Sequence, residues 1–407
     1  MCGPCASGYV CQDGACVWVR PAPVVPLGEL GRYTRVAPLT DGRLAVATWD
    51  RTHTALVVLF VDPMLGPGFG LGGASQADVH VVGGFAKGDG QQQLDADSGR
   101  WCAIDAAENE VHLAWFERGA GELRYTHGNA AQGFGTDTLV DGGGPSARGT
   151  HVSLAVDGLG VVHVAYRDET ERRLRYARRE VDGRWRTSPI DACAGEVGCP
   201  AAGREDYGEF AALALVPAAG GGALPRIAFY DRFRGDLKIA AQAPAGDWVS
   251  TTIAGRDPAT GADAGDVGQF VSIAATPTRQ LGVAYVDVSA GALVYLAPGG
   301  APRVVDAGIG ADASGRARHH AVGAYVRLGY DLSGRAHMLY ADMGALTLKR
   351  ALVRGEAAPE LQTLPTAPGG WIDFRVGDDG ALVGAYGAFV PDAAPQTELV
   401  LFSLEAP

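Results

Sequence analysis

Seven copies of one glycine–x–aromatic unit, strands of alternating apolar residues after each copy, and glycine spread along the whole chain predict an all-β fold. The expected architecture is a seven-bladed β-propeller of four-stranded antiparallel blades, preceded by a short cysteine-rich segment.

The unit opens on Gly31, Gly99, Gly149, Gly208, Gly268, Gly323 and Gly369. Two residues on stand Tyr33, Trp101, His151, Phe210, Phe270, Tyr325 and Trp371, and five residues on stand Val36, Ile104, Leu154, Leu213, Ile273, Leu328 and Phe374. A second strand ends at Asp50, Glu117, Asp168, Asp231, Asp287, Asp342 and, breaking the pattern, Ala388; the spacing from the glycine is 19, 18, 19, 23, 19, 19 and 19 residues. The long interval in blade 4 contains the insertion Pro217 to Gly222. Third strands are marked by Leu56, Leu123, Leu174, Leu237, Leu293, Leu346 and Leu399, and fourth strands are expected at 184–190, 248–253, 303–306 and 361–364. Runs such as Val161-Val162-His163-Val164-Ala165-Tyr166 alternate with period two, the signature of strand and not of helix. One such sheet cannot bury both faces alone, so the blades pack side by side around an axis. Blade 7 runs out of chain after its third strand, and residues 17–30 are expected to supply its outer strand, closing the ring and covering an exposed edge. The chain thus divides into a cysteine-rich segment, 1–16, and a propeller, 17–407.

Composition bounds the function. The chain has 407 residues and a formal net charge of −12, which repels phosphate backbones and argues against a nucleic-acid partner. Only Lys87, Lys238 and Lys349 among the 34 basic residues are lysine, a skew that reflects a GC-rich genome more than a binding task. No apolar run approaches the ~20 residues of a membrane helix; the longest candidate, 55–61, is strand-sized. Cys2, Cys5, Cys11 and Cys16 crowd the start of the chain, and two disulfides are preferred to a four-cysteine zinc site, because only five residues separate the pairs. Cys193 and Cys199 suit a disulfide across a long loop, whereas Cys102 falls at an apolar position and reads as a buried thiol. Together they imply an oxidising compartment: extracellular, cell-surface or periplasmic. No leader sequence precedes Cys2, as expected of a trimmed precursor.

Units such as Ser153-Leu154-Ala155-Val156-Asp157, continued by His163 to Asp168 and by Leu174-Arg175-Tyr176-Ala177, resemble the sialidase-like repeats of secreted bacterial proteins. The resemblance covers nearly the whole propeller and implies the fold; it transfers no catalytic residue, because the Ser-x-Asp-x-Gly-x-Thr-Trp box of true sialidases is absent.

The recurrent acids read as turn caps, since each precedes a turn whose backbone N–H groups a carboxylate can accept. His112, His163 and His337 share one repeat position and read as scaffold, and the arginine run from Arg167 to Arg186 reads as a solvated face paired with Asp168, Glu169, Glu171 and Glu180. No metal constellation and no cofactor fingerprint is found. The informative departures lie four residues after the glycine. Blades 2 to 5 have Ala103, Ser153, Ala212 and Ser272, whereas blades 6, 7 and 1 have Arg327, Asp373 and Arg35. Ring closure would bring these three together near the channel, with Tyr325, Trp371 and Tyr33 on the same faces, as a ligand site or as a salt bridge locking the seam.

The leading expectation is a non-catalytic, monomeric binding propeller for a glycan or a protein surface. The alternatives are a polysaccharide lyase or hydrolase using His151, Tyr325, Arg327, Asp373 and Arg35, and a structural surface module without a ligand.

Overall fold

The computed structural model describes residues 9–12, 15–18, 27–62, 77–84, 97–180, 182–193, 196–197, 199, 203–218, 222–243, 246–311, 317–390 and 396–406. Among them there is no helix, and the strands form seven antiparallel sheets arranged as a propeller, with two small hairpins outside the ring. The innermost strands are Arg32–Pro38, Ser98–Ala107, Arg148–Val156, Tyr207–Pro217, Val267–Ala275, Val322–Tyr330 and Gly369–Val376. Each packs on the next, and the seventh packs on the first, so the ring is closed. Fourth strands lie at Trp185–Pro189, Trp248–Ala254, Pro302–Asp306 and Glu360–Thr363, within a residue or two of the expected positions. In blade 2 the fourth strand is broken into Gly133–Phe134 and Thr138–Gly142, both paired with the third strand.

The recurrence of the glycine and of the third-strand leucine has a direct cause. Gly99, Gly149, Gly208 and Gly268 have positive φ, and a Cβ on each would come within 3.0 Å of Leu56, Leu123, Leu174 and Leu237 respectively. The glycine of one blade therefore lies against the third-strand leucine of the blade before it. In blade 6 that leucine is Leu348, six residues past Asp342 and 4% exposed; Leu346, expected in this role, sits in the turn at positive φ with 56% exposure. The repeat thus encodes contacts between blades. The core agrees: each of its seven clusters draws on two adjacent blades, and the last joins Leu30, Val36 and Val46 of blade 1 to Ala385 and Leu399 of blade 7.

The acids behave as turn caps. Asp50, Asp168, Asp231, Asp287 and Asp342 each accept the backbone N–H three residues on, at 2.8–3.3 Å. Glu117 instead accepts the Ser98 hydroxyl.

The expected closing strand of blade 7, residues 17–30, falls largely on residues outside those described. Its described strands are three, Gly369–Val376, Leu382–Phe389 and Thr397–Leu404. Val17 and Trp18 pair with Val10 and Tyr9 in a separate hairpin that also places Cys11 opposite Cys16. Residues 19–26 lie outside the described residues, as do Cys2, Cys5 and the side chains of Cys11 and Cys16. Residues 27–30 wedge into the seam without strand pairing: Gly28 N–H donates to Asp50, Glu29 N–H donates to Thr52, and the Thr397 hydroxyl donates to the Glu29 carboxylate at 2.9 Å. Burial of Leu30 in the same cluster as Leu399 holds this segment together with those hydrogen bonds.

Cys193 and Cys199 form a disulfide. Its loop carries Glu196 into blade 4, where the carboxylate meets Arg234 at 2.7 Å and the fully buried Lys238.

Candidate functional site

Each inner strand carries a register shift just after its glycine, as at Thr150/Ser153 and Gln269/Ser272, where the strand bulges against its neighbour. The aromatic residue of the unit sits in that bulge at positive φ in all seven blades: Tyr33, Trp101, His151, Phe210, Phe270, Tyr325 and Trp371 lie between 49° and 56°. A bulky side chain in the left-handed region costs roughly 1–2 kcal/mol, so seven repetitions mark a built feature. The bulge turns each ring toward the axis. The seven rings form a closed collar whose neighbouring centroids are separated by 5.2, 5.6, 5.3, 4.8, 5.0, 5.2 and 5.8 Å, taken from Tyr33 around to Tyr33.

The collar encloses a cavity of about 120 Å³, and a second axial chamber of about 240 Å³ lies deeper along the channel. Arg35 and Arg327 line both, so their guanidinium groups stand where the collar ends and the chamber begins. Asp373 is 6% exposed and faces Arg327 at 3.4 Å and Arg375 at 3.5 Å. The three sequence-derived residues do meet, but not as an Arg–Asp–Arg chain. Among the described residues Arg35 makes no ion pair; it donates to the Thr34 carbonyl at 2.7 Å. Asp373 instead accepts the backbone N–H of Val36 at 2.9 Å, joining blade 7 to blade 1.

That bond has counterparts around the ring. Asp105 accepts Val156 N–H, Ser153 accepts Leu213 N–H and Ser272 accepts Leu328 N–H, each from the following blade and at 2.9–3.0 Å. The chamber's carboxylates and hydroxyls are thus engaged in stitching inner strands together. Its three arginines are engaged chiefly with carbonyls, Arg327 with Ile372 and Arg375 with Phe374. Three guanidinium groups face two carboxylates, which leaves the chamber electropositive although the chain is acidic overall. Asp373 is held below the usual carboxylate range by Arg327, Arg375 and Arg35 against the opposing effect of burial. Burial raises Asp105.

Asp105 and Arg375 escaped the sequence reading. They lie six residues after the glycine, in a column otherwise made of Ala37, Ala155, Ala214, Ala274 and Gly329. Two opposite charges among small residues were the available signal.

His151 is the only titratable base of imidazole type in the collar. Its Nδ1 accepts the backbone N–H of Phe210 at 2.9 Å, and burial, reinforced by the Arg167 charge, pushes its pKa down to about 3. Burial raises Tyr33 and Tyr325 above the ordinary phenol range. Cys102 behind the collar donates its thiol to the Tyr33 carbonyl, and burial pushes it up to about 12. The remaining scaffold residues are also accounted for. His112 and His163 bond the hydroxyls of Tyr125 and Tyr176 at 2.7 and 2.6 Å, and His337 bonds Asp331. The arginine run is not the solvated face expected: Arg167 and Arg175 are buried, and Arg167, Arg173 and Arg175 pair with Asp206, Glu205 and Asp141, while Arg186 pairs with Glu180 as expected.

No protein-family profile matches the sequence, and no curated protein sequence does. Solved structures do. The chain is similar to the BP39L lectin of Burkholderia pseudomallei at 15% identity and a TM-score of 0.53, covering 92% of this chain and 100% of that one. It is similar at 11% identity and a TM-score of 0.50 to a polysaccharide lyase, Uly1, with 95% and 92% covered, and to a Hadza microbial sialidase, Hz136, with 92% and 66% covered. What they share is the fold. At these identities no residue role passes from any of them to this chain.

Proposed function

We propose that this is a non-catalytic binding propeller that takes a glycan bearing an acidic group at its axial channel, working outside the cytoplasm. The observation that supports this most is the stacking of two layers on one axis. A closed collar of seven aromatic residues offers apolar edges and faces to a sugar ring, and the Arg35 and Arg327 guanidinium groups directly beneath it offer N–H donors to a carboxylate. Lectins are among the proteins that share the fold, and the Cys193–Cys199 disulfide suits an oxidising compartment.

The lyase alternative needs a base that is free near neutral pH beside a neutralised sugar carboxylate. His151 spends its Nδ1 lone pair on a backbone N–H, and the two tyrosines are shifted away from the phenolate form. These groups suit binding better than proton abstraction.

A glycan array with the purified protein tests the reading, followed by titration calorimetry on the best acidic ligand with wild type and Arg35→Gln. Arg35 contributes no described ion pair to the fold, so the variant is expected to keep its circular dichroism and lose about tenfold or more in affinity, the loss expected for one charged hydrogen bond. An array with no acidic glycan bound, or undiminished affinity in Arg35→Gln, overturns it.

A further inference from the structure

A larger cavity than either axial one, about 300 Å³, lies off the axis between blades 5 and 6. It is formed by the turns that join strands at the ends remote from the collar: 276–280 and 297–298 in blade 5, 332–334 and 355–356 in blade 6. The reason for the opening is legible in the repeat. In blades 2 and 3 a histidine five residues before the acid holds the hydroxyl of a tyrosine two residues after the third-strand leucine, as His112 holds Tyr125 and His163 holds Tyr176. Blade 5 keeps the tyrosine, Tyr295, but has Gly282 in place of the histidine. Tyr330 crosses from blade 6 into the vacated space, and its hydroxyl meets that of Tyr295 at 2.7 Å. A Cβ at position 282 would come within 1.8 Å of the Tyr330 hydroxyl, so only glycine permits the crossing.

Two facing hydroxyls use one proton between them. The other proton, and lone pairs on both oxygens, are left for whatever enters the cavity. Around this polar floor stand apolar walls, Pro277, Pro298 and the 66%-exposed Leu332, and a polar rim that includes Gln280 and Glu356. The rim is braced across the blade boundary, because Arg303 of blade 5 donates to the Gly355 carbonyl at 3.1 Å and to the Ala357 carbonyl. Among the described residues no cationic side chain lines the cavity and Glu356 is its one carboxylate, which disfavours an anion. The chemistry that fits is a neutral ring with an apolar face and several hydroxyls. We infer that the cleft between blades 5 and 6 is a second binding site, for a neutral pyranose-sized polyol, separate from the axial site and without its preference for an acidic group. Burial and the mutual hydrogen bond raise Tyr330 well above the phenol range, and burial raises Tyr295, so the hydroxyl pair stays protonated through neutral pH.

The test uses the full chain and the methyl glycosides of glucose, galactose and mannose as probes, read by saturation-transfer NMR and by titration at millimolar concentrations. Wild type should bind at least one of them. Tyr330→Phe should weaken it about tenfold through one lost hydrogen bond. Thr278→Trp, on an exposed turn at the rim, should abolish binding by filling the entrance, and Arg35→Gln should leave it unchanged. Absence of binding by all three glycosides overturns the inference. So does binding that survives in Thr278→Trp, or that falls in Arg35→Gln, which would place the neutral ligand on the axis instead. Failure of acidic glycans to bind bears on the axial site alone.

Discussion

His151 stands where Phe210 and Phe270 stand in the next two blades, and it is the collar member whose charge state the fold controls most firmly. In the folded chain it stays neutral down to about pH 3, whereas the unfolded chain takes up the proton near 6.5. Its folded value is depressed, so the stability it contributes is complete above pH about 6.5 and is lost as the pH falls toward 3. His112, pushed down to about 4 by burial and by His127, acts in the same direction. One proton of difference changes stability by about 1.4 kcal/mol per pH unit. His151→Phe, a side chain that the same bulge accommodates in blades 4 and 5, should therefore fall less steeply by that amount between pH 6 and 4 in urea titrations. Equal slopes in the two proteins would show that His151 titrates normally. The seven-member aromatic column was legible in the sequence as spacing, yet only Tyr33, Tyr325 and Trp371 stood out as a binding site, because they share blades with the charged column, and His151 only as a candidate of the lyase or hydrolase alternative. That the other four close the same collar depends on the positive-φ bulge, which no side-chain pattern announces.

At the scale of the strand, the glycine and the inter-blade hydrogen bond both help to fix neighbouring blades. Gly208 has φ +97° and would bring a Cβ to 2.9 Å from the Leu174 backbone, whereas Gly160 has φ +76° with open space around it. Gly160→Ala should cost roughly 1–2 kcal/mol of backbone strain. Gly208→Ala should cost that and roughly 1–3 kcal/mol more for overpacking; thermal unfolding of the pair separates the two contributions, and equal losses would mean that Leu174 yields freely. Asp373 allows a similar separation. Asp373→Asn keeps an oxygen for the Val36 N–H, while Asp373→Ala loses the acceptor and leaves Arg327 and Arg375 facing one another. Both variants break the buried ion pair, which costs about 3–5 kcal/mol; only alanine also leaves the Val36 N–H without its acceptor, at roughly 1–3 kcal/mol more, so the alanine variant should unfold below the asparagine variant. If the two melt together, the bond across the seam contributes little. The acid–leucine interval of six residues was visible in the first five blades, but not that the leucine meets the glycine of the next blade; Leu346 was chosen although Leu348 keeps the interval and is the buried one. The closing strand was inferred from the missing fourth strand of blade 7; most of it, residues 19–26, lies outside the described residues, while 17–18 join a hairpin and 27–30 pack into the seam.

For the whole molecule, the consequence of placing every core cluster across a blade boundary is that no sheet has a core of its own. In an open stack of repeats, damage at one end spreads only as far as nearest-neighbour coupling carries it. Here the seventh cluster joins Leu399 to Val36, Leu44 and Val46, so each blade is held on both sides and the loss of one exposes the cores of two others. Leu399 is 2% exposed, and its truncation to alanine should cost about 2–5 kcal/mol. If the ring opens as one unit, that loss appears everywhere. Slowly exchanging amides around Phe229 in blade 4, far around the ring, should accelerate by the same factor as those around Val46 beside the mutation, about 30-fold to several thousand-fold for this range of energies. Acceleration confined to blades 7 and 1 would mean that the seam opens locally while the remaining blades stay folded. The axial site would then have a gate at the seam, because Asp373 and Arg35 lie on its two sides and would separate each time it opened.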